Sequence, residues 1–317
     1  MVFVGNRESI TVCEEKVARN TLGDFATDGY YIGSEPVMSD FNENARGFKS
    51  RISVEGGNQR ETMDSGAELH QFTLKWIITD FKFVKFFLAG LVEAGSDPYT
   101  HTFDLETSKN YNFFSLQRKL ETGIVHTYKG CAIRKLKVEF QKATGDDEQG
   151  YIRVTANVVA TSFDKTQALI TVPDSATKDI FTFSNFKATI GGVVRNEVIS
   201  GSIDIDAGTN PEDYFYANSD NDSLIGEVAP VFFKSVGNFV INVKDNSLVD
   251  EWNLDGITGT NKFEISRGVN DNIVFNLRDM FNLQPFAPTE YKAITKANVV
   301  YDTTITDIVV TDSVENY

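Results

Sequence analysis

Side chains able to hold a metal are few in this sequence. The histidines are His70, His101 and His126, and none stands in an H-E-x-x-H run, beside a C-x-x-C pair or at any other ligand spacing. Each reads as a histidine flanking a strand. Asp220 and Asp222, in YANSDNDSLIG, offer two of the oxygens a calcium loop needs. The run lacks the third ligand, the glycine at the sixth place and the glutamate at the twelfth, so it reads as a solvated loop. Ser9, Ser65 and Ser115 have no G-x-S-x-G elbow around them, and no segment has a G-x-G-x-x-G or G-x-x-x-x-G-K-[ST] pattern for wrapping phosphate. The paired glycines at Gly56 and Gly191 read as turns beside strands. Asp204 and Asp206 would share one face of a strand, where two carboxylates can do acid and base work. With Ile203 and Ile205 alternating behind them, that face reads as wet rather than catalytic. No catalytic residue, metal site or cofactor is assigned, and the chain is not expected to be an enzyme.

The elements that must position polar side chains are mostly strands. QFTLKWII puts Phe72, Leu74, Trp76 and Ile78 on one face and Gln71, Thr73 and Lys75 on the other, the period of two of a half-buried strand. NFVINV repeats it with Phe239, Ile241 and Val243 against Asn238, Asn242 and Lys244. After Asp80 the run FKFVKFFLAGLVEAG sets Val84, Phe87, Leu88 and Leu91 on one stripe and predicts an amphipathic helix ending at Gly95. After Asp245 a shorter helix is expected, with Ser247 and Asp250 as a capping box and Trp252 against Leu248.

This order of elements occurs twice. SRISVEGG from Ser50 answers to SGSIDIDAGTN from Ser200, and AIRKLKVEF from Ala132 to AITKANVVY from Ala293. The closing strands are YIRVTANVVAT from Tyr151 and TITDIVV from Thr304. The expectation is a duplication over 46–163 and 195–312. The chain then divides into an arm with lead-in strands (1–45), a first half (46–175) and a second half with a C-terminal arm (176–317). The polar loops from Gly56 and from Ala207 interrupt the leading strand pair of each half. The second loop carries Tyr214, Phe215 and Tyr216, aromatics suited to docking another protein.

A chain of 317 residues with 41% apolar residues can bury two ordinary cores. Cys13 and Cys131 are its only cysteines, too few for a disulfide framework or a four-thiolate zinc site. No stretch reaches 18 apolar residues, and the start MVFVGNRESITVCEEK has no basic, apolar and small-residue sequence of an export signal. The expectation is a protein made in a reducing cytoplasm, with no membrane span. Its net charge of −15 opposes any surface that grips nucleic acid through phosphates.

Across nearly its whole length the chain resembles the tail tube proteins of long-tailed bacteriophages, in their two-half type. The resemblance rests on EEKVARNTLGD, on GYYIGSEPVMSDFNENARGFKSRIS and on FTLKWIITDFKFVKFFLAGLV. It rests most on Tyr128, Gly130 and Cys131 before a strand, the tip from Thr144 to Gly150, and the strand from Tyr151 to Val159. The tip GDDEQG is more acidic than the family pattern, and the loop from Ala207 is long.

The resemblance implies a mainly β fold with a few helices, a duplicated β-sandwich or barrel with one flanking α-helix in each half. It implies rings that stack into a hollow tube through which double-stranded DNA passes without specific binding. Three chains with six tube folds would close a pseudo-six-fold ring; a hexamer is the alternative. The expected partners are other copies, the tape measure protein, the tail terminator and baseplate proteins, and the expected location is the virion tail, after synthesis in the host bacterial cytoplasm. Other readings are a baseplate hub, a capsid decoration protein or a carbohydrate-binding sandwich.

On this reading the lumen is lined by Ser53, Glu55, Thr73, Lys75, Lys135, Lys137, Glu139, Arg153 and Thr155 in the first half. Asp204, Asp206, Asn238, Asn242, Lys296 and Asn298 line it in the second. A negative lumen is expected to let DNA slide, with the lysines pairing to neighbouring acids. Arg60, Glu61, Asp64, Tyr214, Phe215, Tyr216, Asp220 and Asp222 are the expected contacts between subunits or rings.

Overall fold

The structure is a computed structural model. It describes residues 9–16, 21–44, 49–52, 60–64, 69–87, 91–104, 112–120, 123–142, 150–174, 179–208, 234–243, 257, 259–278, 280–282 and 295–314. For 42–44, 49–52, 60–64, 69, 243, 281–282 and 295–299 the description extends to backbone alone.

The chain opens with β1 (Ser9–Glu14), the one-turn helix α1 (Phe25–Asp28), β2 (Tyr30–Tyr31), β3 (Ser34–Asn44), β4 (Lys49–Ile52), β5 (Arg60–Asp64) and β6 (Leu69–Ile77). A 3-10 turn (Lys82–Phe86) leads to β7 (Leu91–Gly95), β8 (Tyr99–Asp104), β9 (Phe114–Lys119), the long β10 (Val125–Gln141), β11 (Arg153–Ala160) and β12 (Ser162–Asp164). A second 3-10 turn (Phe183–Asn185) precedes β13 (Phe186–Ile190), β14 (Val193–Val194), β15 (Val198–Asp206) and β16 (Lys234–Val243). Last come β17 (Asn261–Ser266), β18 (Asn272–Leu277), β19 (Phe281–Asn282), β20 (Thr295–Thr303) and β21 (Ile305–Asp312).

Period-two alternation decides which face each strand buries. A central sheet runs in the order β19-β20-β16-β15-β10-β11-β6-β3, and an outer sheet in the order β14-β13-β17-β18-β21-β8-β7. The start of β10 turns away from the central path to pair with β9 and β12, and β9 pairs with β1. Phe72, Leu74 and Trp76 on β6, Leu136, Val138 and Phe140 on β10, and Phe239 and Ile241 on β16 are all buried. They join one apolar cluster with Phe263, Phe275 and Ile308 of the outer sheet. Phe140 stacks on Phe186 with ring centroids 3.7 Å apart, so the cores of the two halves meet through an aromatic pair.

Pairing, rather than sequence, reveals how far the chain repeats. Seven antiparallel pairings occur twice in the same chain order. β1–β2, β1–β9, β9–β10 and β10–β12 answer to β13–β14, β13–β17, β17–β18 and β18–β21. In the central sheet β3–β6, β6–β11 and β10–β11 answer to β15–β16, β16–β20 and β19–β20. Thus β1 to β3, read in the sequence as lead-in, hold in the first half the places of β13 to β15 in the second.

Three expectations change. AIRKLKVEF lies in β10 while the described part of AITKANVVY lies in β20, which answers to β11, so the repeated phrase does not mark equivalent strands. SRISVEGG likewise begins in β4, which pairs with β5 in a separate hairpin; the strand that answers to β15 is β3. Alternation identifies a strand without identifying its neighbour. The helix expected after Asp80 is the 3-10 turn, and Leu91 already begins a strand. Phe81, Phe83, Val84, Phe86 and Phe87 are all 0–1% exposed. Only Lys82 and Lys85 reach the surface, so the polar side is narrower than a surface helix requires, and the segment is wedged into the core with Phe83 edge-on to Trp76. The helix expected after Asp245 lies outside the described residues.

Candidate functional site

The face of the central sheet opposite the core is a polar field. Along one row Lys75, Thr155, Lys137, Asp204, Val236 and Asp302 sit side by side across six strands. A second row holds Thr73, Asn157, Lys135, Asp206 and Lys234. A third holds Arg153, Glu139, Ser202, Asn238 and Val300. Lys296 and Asn298 take register positions opposite Asn242 and Val240. Most of the side chains expected to line a lumen therefore share one face, although they come from strands far apart in sequence. Ser53 and Glu55 lie outside the described residues. Arg60, Glu61 and Asp64 fall on β5, while Tyr214, Phe215, Tyr216, Asp220 and Asp222 lie outside the described residues.

The sequence reading missed Asn157, Lys234 and Asp302 on this face. Extending the alternation two positions before Val236 and two beyond Val300 would have reached Lys234 and Asp302.

Charge on the face is mixed, and three of its lysines lie beside carboxylates. Lys135 contacts Asp206 at 2.6 Å, Lys137 contacts Glu139 at 2.8 Å, and Lys234 lies 3.9 Å from Asp302. Burial pushes the Asp206 carboxyl up, but the Lys135 ammonium and the Gly208 N–H outweigh it, and the net shift is downward. For Asp204 burial dominates and the carboxyl is raised, although Lys137 and a hydrogen bond from Ser202 oppose this. The Glu139 carboxylate holds the Lys137 ammonium above its ordinary value. Lys137 and Glu139 pair within the first half and Lys234 and Asp302 within the second, while Lys135 and Asp206 pair across the seam between β10 and β15.

The histidines occupy separate settings. His70 and His126 pack against Phe163, at centroid distances of 5.4 and 5.2 Å. His101 is fully buried, 3.3 Å from Glu93 and 3.5 Å from Asp312. No cluster of three metal-ligating side chains occurs among the described residues.

A polar sheet face with open margins and a repeated topology suits a structural wall, and comparison of the sequence with known families decides which. A family model described as phage tail tube protein matches residues 25–299. The chain belongs to the phage tail tube protein family. It is accordingly a structural component of the virion tail. No curated protein matched the sequence. Among the described residues no helix is long and apolar enough to cross a membrane.

For a tail tube protein the sheet margins matter as much as the face. β3 and β19 end the central sheet, and β14 and β7 end the outer one. Several of the most exposed apolar side chains stand on these margins: Val37 and Phe41 on β3, Val92 on β7, and Val193 and Val194 on β14. Among the described residues two strand pairings tie the halves together, β10 to β15 and β8 to β21.

Proposed function

We propose that three copies of this chain close into a ring carrying six tube folds, and that rings stack into the hollow tail tube with the polar face turned to the bore. The observation that carries this reading is the set of seven strand pairings that occurs twice per chain. The halves so defined run through β12 and from β13 onward. Six such modules need three chains.

The self-paired charges suit passage of double-stranded DNA. Lysines already neutralised by neighbouring carboxylates release few counterions on meeting phosphate, so the genome finds little to hold it. The tape measure protein would occupy the same bore before DNA, and terminator and baseplate proteins would meet the ends of the tube. Electron microscopy of concentrated purified protein tests the reading. Hollow tubes whose end views show six lobes are expected; solid fibres or isolated monomers at every concentration would contradict it.

A further inference from the structure

β10 serves two sheets. Its start, from Val125, pairs with β9 and β12, and its remainder, from Ala132, pairs with β11 and β15. Between the two lies a corner, where the register with β9 shifts between Tyr128 and Cys131 and Gly130 takes φ 61°. A bulged residue leaves the strand ladder, so its N–H needs a partner elsewhere. Glu15, which follows β1, supplies it. This side chain is 9% exposed, and its Oε1 accepts from the Gly130 N–H at 2.8 Å and from the Ser115 hydroxyl at 2.7 Å. Ser115 accepts in turn from the Gly23 N–H at 3.2 Å, and the Lys129 carbonyl accepts from the Thr161 N–H at 3.1 Å. One carboxylate oxygen thus fastens β9 and the bend of β10 to the end of β1.

The second half turns the corresponding corner through uncharged groups. There β18 ends at Leu277 and β19 begins at Phe281. The Arg278 carbonyl between them accepts from the Thr303 hydroxyl at 3.2 Å and from the Asn261 amide at 3.4 Å. Asn261, 2% exposed, also accepts through Oδ1 from the Gly191 N–H at 2.8 Å. An amide and a hydroxyl hold there what a carboxylate holds in the first half.

We propose that Glu15 is an acid-operated latch: its ionised carboxylate holds the bend of β10 closed, and its protonation loosens that bend while the second-half corner stays closed. Hydrogen bonds to an ionised oxygen are about twice as strong as those to a neutral one, so a proton on Glu15 weakens both at once. The neighbouring titratable groups are otherwise engaged. Glu14 on β1 is turned to Lys85 of the 3-10 turn at 3.1 Å, and Lys16 to Asp28 of α1 at 3.0 Å. On β10, Lys129 precedes Gly130, and burial, with the Glu15 charge adding to it, pushes the Cys131 thiol well up, so that thiol brings no charge to the corner. Burial favours a neutral carboxyl and the two donors favour a charged one. The donors hold Glu15 ionised at neutral pH, and the latch fades as pH falls. It lies within each chain, so it holds or fails however the copies assemble.

Hydrogen exchange read by mass spectrometry tests the latch on the full chain, at neutral pH and at about pH 4, near which a free glutamate takes up its proton. Protection of amides 125–133 is expected to fall at least tenfold in acid relative to that of 272–278. Glu15→Gln should show the lower protection already at neutral pH and lose no more in acid. Protection that falls equally in both segments, or that rises over 125–133, would overturn the inference, as would natural protection in Glu15→Gln at neutral pH. Should that variant fail to fold, Ser115→Ala decides: with one donor removed, the loss over 125–133 should begin at higher pH than in the natural chain, and an unchanged acid response would overturn the latch.

Discussion

The two halves repeat each other's pairings but not each other's fastenings. Between first and second half, β10 lies along β15 with Lys135 ion-paired to Asp206, and the β7–β8 hairpin reaches across to β21. That hairpin buries His101 between Glu93 of its own β7 and Asp312 of the other half. At the outer margin of the first half, β3 has neither a lysine–aspartate seam nor a strand across it among the described residues. Apolar burial, a strand ladder and the contacts of the buried His101 hold the inner joint, whereas a strand edge without a neighbour leaves its backbone groups open to pairing.

A second contrast lies inside the core. β6 and β16 occupy equivalent places, and Phe72 opposes Val158 as Phe239 opposes Val299, but β16 also sets Gly237 opposite Tyr301. A Cβ on Gly237 would lie 2.0 Å from the Tyr301 hydroxyl oxygen, so the glycine is the space into which the tyrosine fits.

The strongest way to break the comparison is to cut the shared core. Phe140→Ala removes the ring stacked on Phe186 and should cost about 3–5 kcal/mol. One thermal transition should shift as a unit by calorimetry; two separate transitions would show halves that fold independently. Next in size, Gly237→Phe should cost about 3 kcal/mol by overpacking. Adding Tyr301→Val, which makes room for the new ring, should recover most of that loss. Urea melts of the single and double variants measure this coupling, and simple additivity would refute the exchange of volumes.

His101→Ala should cost about 1–3 kcal/mol by removing a polar partner of the buried Asp312 carboxylate and of the Val314 carbonyl. It should also raise amide exchange selectively in 91–104, sharpening the claim that the hairpin is a clasp. Smallest is Asp206→Asn, about 0.5 kcal/mol at neutral pH because the pair is half exposed. Asp206 titrates lower in the folded chain than its ordinary 3.8. Its contribution is therefore complete above that value and fades as pH falls through the depressed one. The difference between Asp206→Asn and the natural chain in urea midpoint should close in strong acid and persist at pH 7.

Much of the fold was legible in the sequence, because alternation in QFTLKWII and NFVINV fixes which side of β6 and β16 is dry. The polar face was legible for the same reason: Lys75, Lys137, Asp204, Asp206 and Asp302 each sit between buried neighbours. Partners were not. Lys135 and Asp206 meet only because β10 crosses to the second half, and nothing local to either residue encodes that crossing. The same holds for AIRKLKVEF and AITKANVVY, alike because both lie in half-buried strands of one sheet. The segment after Asp80 misled through its spacing, since Val84, Phe87 and Leu91 fit a helical stripe while Phe81, Phe83 and Phe86 are buried as well and leave only Lys82 and Lys85 partly exposed.

The native mass of a single ring, released from the tube without denaturation, bears most directly on the claim that each chain brings two tube modules. Three chain masses, together with six lobes in projection, are the predicted result. A ring of six chains with six lobes would mean that each chain supplies only one module, and would contradict it.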